Sequence, residues 1–138
     1  MKLRGILAGL GVLVLAGCST GGEPEPAETF TMTGELDLGY DQGKYYSSEL
    51  NCTGAGGYSD IQSGAPVTVY DNAGQIVALG ALGPGRRNSA EHVCTFKFDV
   101  PNVPAGKGFY QYEISHRGKL TLTEAEAVAG LASASLNN

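Results

Sequence analysis

Tryptophan is missing from this chain of 138 residues, histidine occurs only as His92 and His116, and cysteine only as Cys18, Cys52 and Cys94. The main apolar run, residues 6–15, is shorter than the roughly 20 residues of a membrane-spanning helix. Each shortage narrows the possible functions. With two histidines, no Gly-x-Ser-x-Gly elbow and no His-Glu-x-x-His pair, the sequence carries no recognisable hydrolase or zinc-protease constellation. Lys and Arg number 9 against 14 Asp and Glu, a formal net charge of −5. Such an acidic chain is a poor partner for the phosphate backbone of nucleic acid. Without tryptophan, and with His92 in place of tyrosine two positions before Cys94, the buried tryptophan and tyrosine corner of an antibody domain are not expected.

Lys2 and Arg4 precede the apolar run and the small residues Ala16 and Gly17 come after it, the layout of an export signal. The other reading, a buried core helix, fits the extreme N-terminal position and flanking residues less well. The tetrad Leu15-Ala16-Gly17-Cys18 resembles the lipobox of bacterial lipoproteins. That resemblance implies a signal peptide over residues 1–17, cleavage before Cys18 and acyl chains on its thiol. It also implies a bacterial cell-membrane address on the extracytoplasmic side. One acyl chain binds a membrane marginally and two bind durably, at about 0.8 kcal/mol per buried CH₂. No twin arginine precedes the run, which points to the general secretory route. With Cys18 acylated, Cys52 and Cys94 remain as an even pair in an oxidising compartment, where a disulfide is the default. Closing a loop of about 43 residues stabilises by about 4 kcal/mol in the chain-entropy model. Two buried free thiols are the alternative.

Residues 18–29 combine Gly, Pro and Glu with no large apolar side chain, so they are expected to form a solvated tether. The domain is assigned to residues 30–138, enough for one modest core. Phe30, Met32, Leu36 and Leu38 alternate with polar residues, as in a strand with one wet face. Further strands are expected over residues 67–70, 75–82, 93–100, 109–116 and 119–122. Asp71-Asn72-Ala73-Gly74 reads as a hairpin turn, and so does His116-Arg117-Gly118-Lys119, with Gly118 supplying the positive φ. Pro101 and Pro104 are expected to end the strand before them. One helix is expected over residues 123–134, opened by a capping box of Thr123 and Glu126 and interrupted by Gly130. The final four residues read as a frayed tail rather than a last strand. Many short strands without alternating helices predict an all-β fold, an antiparallel β-sandwich of immunoglobulin-like or transthyretin-like kind with one short C-terminal helix.

Residues 52–61, Cys-Thr-Gly-Ala-Gly-Gly-Tyr-Ser-Asp-Ile, lack the strand, helix and Lys-Ser or Lys-Thr pair of a phosphate-cradling loop. They read as a tight loop at the disulfide, with Tyr58 on the core edge and Asp60 accepting backbone hydrogen bonds. His116 shares strand parity with Tyr110, Tyr112 and Ile114, which predicts a packed histidine, and Arg117 beside it reads as a turn residue able to meet an anion. Residues 83–92 read as a polar loop, where Arg86 and Arg87 are candidate contact residues. Tyr40, Tyr45 and Tyr46 lie in a polar segment and are further recognition candidates. Asp60, Asp71 and Asp99 lack calcium-loop spacing, so no metal and no cofactor is expected.

Over residues 52–118 the patterns Cys-x-Gly-x-Gly-Gly-Tyr-x-Asp-Ile, Val-x-Val-Tyr-Asp-x-x-Gly, Cys-x-Phe-x-Phe-x-Val and Phe-Tyr-x-Tyr-x-Ile-x-His-Arg-Gly are similar to those of small secreted or lipid-anchored actinobacterial proteins of uncharacterised activity. The resemblance implies the β fold and the cysteine pair and no activity. The expected function is a membrane-anchored extracytoplasmic lipoprotein, a non-enzymatic, monomeric module binding an envelope protein or glycan. The alternatives are a small hydrolase or accessory enzyme with a site near Asp60, His116 and Arg117, and a structural envelope protein without a discrete ligand.

Overall fold

A computed structural model of the chain describes residues 21–22, 24–39 and 44–136. The expected signal segment, Cys18, the start of the tether with Glu23, Tyr40 and the last two residues lie outside them. Gly21, Gly22 and residues 24–28 are exposed and belong to no strand.

The domain is all-β and mostly antiparallel. Its strands are β1 (Thr29–Gly39), β2 (Tyr45–Ser47), β3 (Asn51–Gly54), β4 (Pro66–Tyr70), β5 (Ile76–Leu82), β6 (Gly85–Asn88), β7 (Val93–Pro104), β8 (Phe109–Ile114), β9 (Lys119–Thr123) and β10 (Ala132–Leu136), with a short helix α1 (Glu124–Val128) before the last. They form one curled sheet in the order β2-β3-β6-β7-β5-β4-β8-β9, with β1 between β7 and β10. β7 is its spine. One edge pairs with β1 from Thr29↔Pro104 to Gly39↔Val93. The other carries β6 near Cys94 and β5 near Phe98.

Alternation decides what is buried. Met32, Leu36 and Leu38 of β1, Val67 and Val69 of β4, Phe96, Phe98 and Val100 of β7 and Tyr110, Tyr112 and Ile114 of β8 point inward and form the core. The inward position between Met32 and Leu36 is Gly34. Any Cβ there would collide with the Ala132 carbonyl and the Phe98 ring, so glycine is what lets β10 lie against β1. Tyr112, whose hydroxyl pKa is raised by burial, reaches from β8 to the Ser133 carbonyl on β10 at 2.7 Å. That bond ties the β8–β9 end of the sheet over the β10–β1 end. The described residues contain no helix long and apolar enough to cross a membrane.

Four expectations are corrected. Pro101 does not end β7, which runs on to its last residue, Pro104. The register with β1 shifts between Phe30 and Met32, opposite Pro101 and Asn102, and Asn102 takes φ 58°; a bulge tolerates a missing N–H. The expected helix over residues 123–134 stops at Val128. Its capping box is present, with Thr123 Oγ1 accepting from Glu126 N–H and Thr123 N–H donating to Glu126. Gly130 at φ 72° then turns the chain out of the helix. Of the expected frayed tail, Ser135 and Leu136 belong to a strand and the last two residues lie outside the described ones: Ala132, Ala134 and Leu136 alternate with serines, and β10 pairs parallel with β1 from Gly34↔Ala132 to Leu38↔Leu136. Residues 83–92 are not all loop, since Arg86 and Arg87 lie on β6, which bridges β3 and β7.

Candidate functional site

The Cys52–Cys94 disulfide joins β3 to β7 with a Cα–Cα distance of 5.9 Å. Directly after Cys52 the chain turns tightly on itself through a 3-10 turn (Gly56–Tyr58), closed by Tyr58 N–H to the Ala55 carbonyl at 2.9 Å and Ile61 N–H to the Tyr58 carbonyl at 2.9 Å. The turn aims Tyr58 and Asp60 at the β8–β9 connection. Arg117 meets them there.

The Arg117 guanidinium grips Asp60 with two prongs. Its Nε–H donates to Asp60 Oδ2 at 3.0 Å, and its Nη2 donates to Asp60 Oδ1 and to the Gly57 carbonyl, the latter at 2.7 Å. It also stacks 4.8 Å from the centre of the Tyr58 ring, while Lys44 Nζ lies 5.5 Å from the same ring. A cation over a tyrosine face is attracted by the ring quadrupole. Hydrogen bonding by Arg117 holds the Asp60 carboxyl below its ordinary value, assisted by Ser115 and opposed by partial burial. Sequence reading thus named three members of this cluster but not Ser115, Lys44 or the Gly57 carbonyl, which no local pattern ties to Arg117.

His116 is not a packed histidine. It is exposed in the turn, because Ser115 adopts φ 53° after Ile114 and breaks the alternation that would have turned the imidazole inward. The structure therefore joins Asp60 to Arg117 and leaves His116 facing solvent. Arg86 is elsewhere, on β6, with Nη1 donating to Asn51 Oδ1 at 2.6 Å. Arg87 next to it is exposed, and its backbone N–H reaches the Leu50 carbonyl. Tyr45 packs on the core and Tyr46 is exposed.

Asp71 closes the β4–β5 hairpin, accepting from the N–H groups of Ala73 and Gln75 at 2.9 and 3.0 Å. Asp99 lies on β7 opposite Thr33 and Ala81. Among the described residues no group of three or more His, Cys, Asp or Glu is placed to hold a metal ion. Two concavities are notable. An open groove of about 450 Å³ runs along Thr33, Glu35, Lys97, Asp99 and Leu131. A smaller cleft of about 220 Å³ lies between the β8–β9 hairpin and β10, walled by Leu36, Tyr112, Ile114, Leu120 and Leu136 with Arg117 at its rim.

The Asp60–Arg117 cluster thus fastens a turn near the disulfide to a turn between two late strands and presents an acidified carboxylate beside a committed guanidinium. Comparison of the chain with family models, with curated proteins and with solved structures finds no match.

Proposed function

We propose that this chain is a membrane-anchored extracytoplasmic lipoprotein whose β domain is a non-enzymatic binding module for an envelope component. The observation that carries the reading is the Cys52–Cys94 bond. Disulfides persist in oxidising compartments, and this one leaves Cys18 as the odd cysteine, at the end of an export-like segment. The tether residues after it are exposed as far as they are described, which suits a spacer.

Binding fits the Asp60–Arg117 cluster better than hydrolysis does. A general acid or base at neutral pH needs a pKa near the working pH, whereas Arg117 moves Asp60 the opposite way. The exposed Arg87 and Tyr46 are the side chains we assign to contact, and the partner is an envelope protein or glycan. The curled sheet, with β8 and β9 laid over β10 and β1, is the basis for reading the fold as an immunoglobulin-like or transthyretin-like sandwich.

Intact-mass analysis of the chain purified from the membrane fraction tests the anchor. The expected species begins at Cys18 and carries acyl mass on that residue, and Cys18→Ser moves the protein out of the membrane fraction. A Cys18 found unmodified overturns the reading.

A further inference from the structure

We propose that the β9 edge is a self-association surface, through which two copies of this chain pair antiparallel about a two-fold axis at Thr121. The inference is independent of the membrane anchor.

The direction of the β9 backbone is set by two hydrogen bonds. Glu124 N–H donates to the Gly108 carbonyl at 2.9 Å, which continues the β8–β9 register Phe109↔Thr123 by one pair. In an antiparallel ladder the bonded pairs alternate with unbonded ones, so Tyr110↔Leu122 and Tyr112↔Leu120 are the bonded pairs. On the far side of β8, Ser115 N–H donates to the Pro66 carbonyl, which assigns Glu113 and Gln111 to β4 and agrees with that phase. The N–H and C=O groups of Lys119, Thr121 and Thr123 therefore point away from β8, along an edge that pairs with no strand among the described residues.

Other sheet edges are blunted. β2 has three residues, and on β10 the Ser133 carbonyl already takes the Tyr112 hydroxyl. The usual guards of an exposed edge are a bulge, a proline or a projecting lysine. β9 has no proline and no register shift against β8. Its lysine is folded back, with Lys119 Nζ 3.6 Å from the centre of the Tyr70 ring two strands away. Leu120, on the inward side with buried Leu122, is 45% exposed on the wall of the cleft that faces β10.

The occupant that fits is the same strand. Lys-Leu-Thr-Leu-Thr is symmetric about Thr121 over its Leu-Thr-Leu centre, and an isologous interface requires that kind of self-complementarity. With Thr121 on the axis, the two copies of Thr121 exchange both backbone bonds. Lys119 N–H meets the carbonyl of the partner's Thr123, and Leu120 lies opposite the partner's Leu122, covering the exposed leucine. Thr123 N–H is held by Glu126 Oε2 at 2.7 Å, in the place the partner's Lys119 carbonyl would take, so pairing displaces that carboxylate from the edge. The register sets Lys119 opposite the partner's Thr123 rather than opposite its own copy, so no like charges lie directly across the pair.

Sedimentation equilibrium of the purified full chain over a wide concentration range tests the proposal, with circular dichroism and thermal melting as controls for folding. Thr121→Pro removes an N–H that β8 does not use, and proline is tolerated on a strand edge. Thr121→Lys sets two like charges face to face on the axis. The expected result is a monomer–dimer equilibrium in the parent chain whose dissociation constant rises about tenfold or more in each variant, one factor of ten being about 1.4 kcal/mol. A parent chain that stays monomeric at every concentration, or a dimer that persists unchanged in folded Thr121→Lys, overturns it.

Discussion

Asp60 and Arg117 are 57 residues apart in sequence and joined by a forked ion pair, so the turn after Cys52 and the turn between β8 and β9 form one fastening. Both side chains keep some solvent contact, 35% and 27% exposed, which screens the pair. Arg117→Ala is expected to lower stability by about 1 kcal/mol through the lost fork and the lost stacking on Tyr58. His116→Ala, one residue away and exposed, is expected to leave stability unchanged. Urea denaturation of both variants checks the contrast; equal losses would remove the fastening role.

The same pair makes a pH prediction. The folded Asp60 pKa lies below its ordinary 3.8, so its contribution is fully present above that value and is lost as pH falls through the lower folded one. Glu124, held by the amides of Gly106 and Gly108, and Glu126, held by Thr123, are lowered as well and act in the same direction. Stability should therefore fall on acidification below about pH 4, less steeply in Asp60→Asn than in the parent. Urea midpoints measured across that range decide it, and parallel curves would count against Asp60.

The disulfide closes a sequence separation of 42 residues. Replacing both cysteines by alanine should cost about 3 kcal/mol. The oxidised protein should resist alkylation at Cys52 and Cys94 until reduced and then gain two alkyl groups, as read by mass spectrometry. Alkylation at either residue without reductant would contradict the bond.

Gly34→Val should destabilise by about 2 kcal/mol or more, because the new side chain enters the space held by the Ala132 carbonyl and the Phe98 ring. Hydrogen exchange should locate the damage in β10 first. Protection of β10 amides that survives the substitution would refute the close-approach argument.

Thr123→Ala removes the hydroxyl that accepts from Glu126 N–H and should cost about 1 kcal/mol, whereas Thr123→Ser should cost little. Thermal melting of the two variants distinguishes a cap from a mere surface position.

What could be read from the sequence was local. β1, β4, β5, β7, β8 and β9 announced themselves by alternation, and Thr123 with Glu126 marked the helix start three residues apart. Elements whose reason lies elsewhere in the chain were illegible. β10 is a strand because Gly34 makes room for it about a hundred residues earlier, while its alanines read locally as helix. β6, with two arginines in four residues, is a strand because β3 and β7 flank it. His116 was misplaced because one left-handed residue, Ser115, resets the parity. At the candidate site the residue types could be named, but the meeting of Asp60 with Arg117 required the fold.

β1 is held on both sides, antiparallel by β7 and parallel by β10, and the residue just before it, Glu28, accepts from Ala105 N–H at 2.9 Å. A pull on the preceding segment directed along β1 therefore loads two ladders in shear, where the bonds must fail together instead of peeling open one by one. Resistance to such force is governed by an unfolding rate rather than by equilibrium stability. β1, with β7 and β10 on its two sides, thus acts as a mechanical clamp at the point where residues 24–28 lead into the sheet.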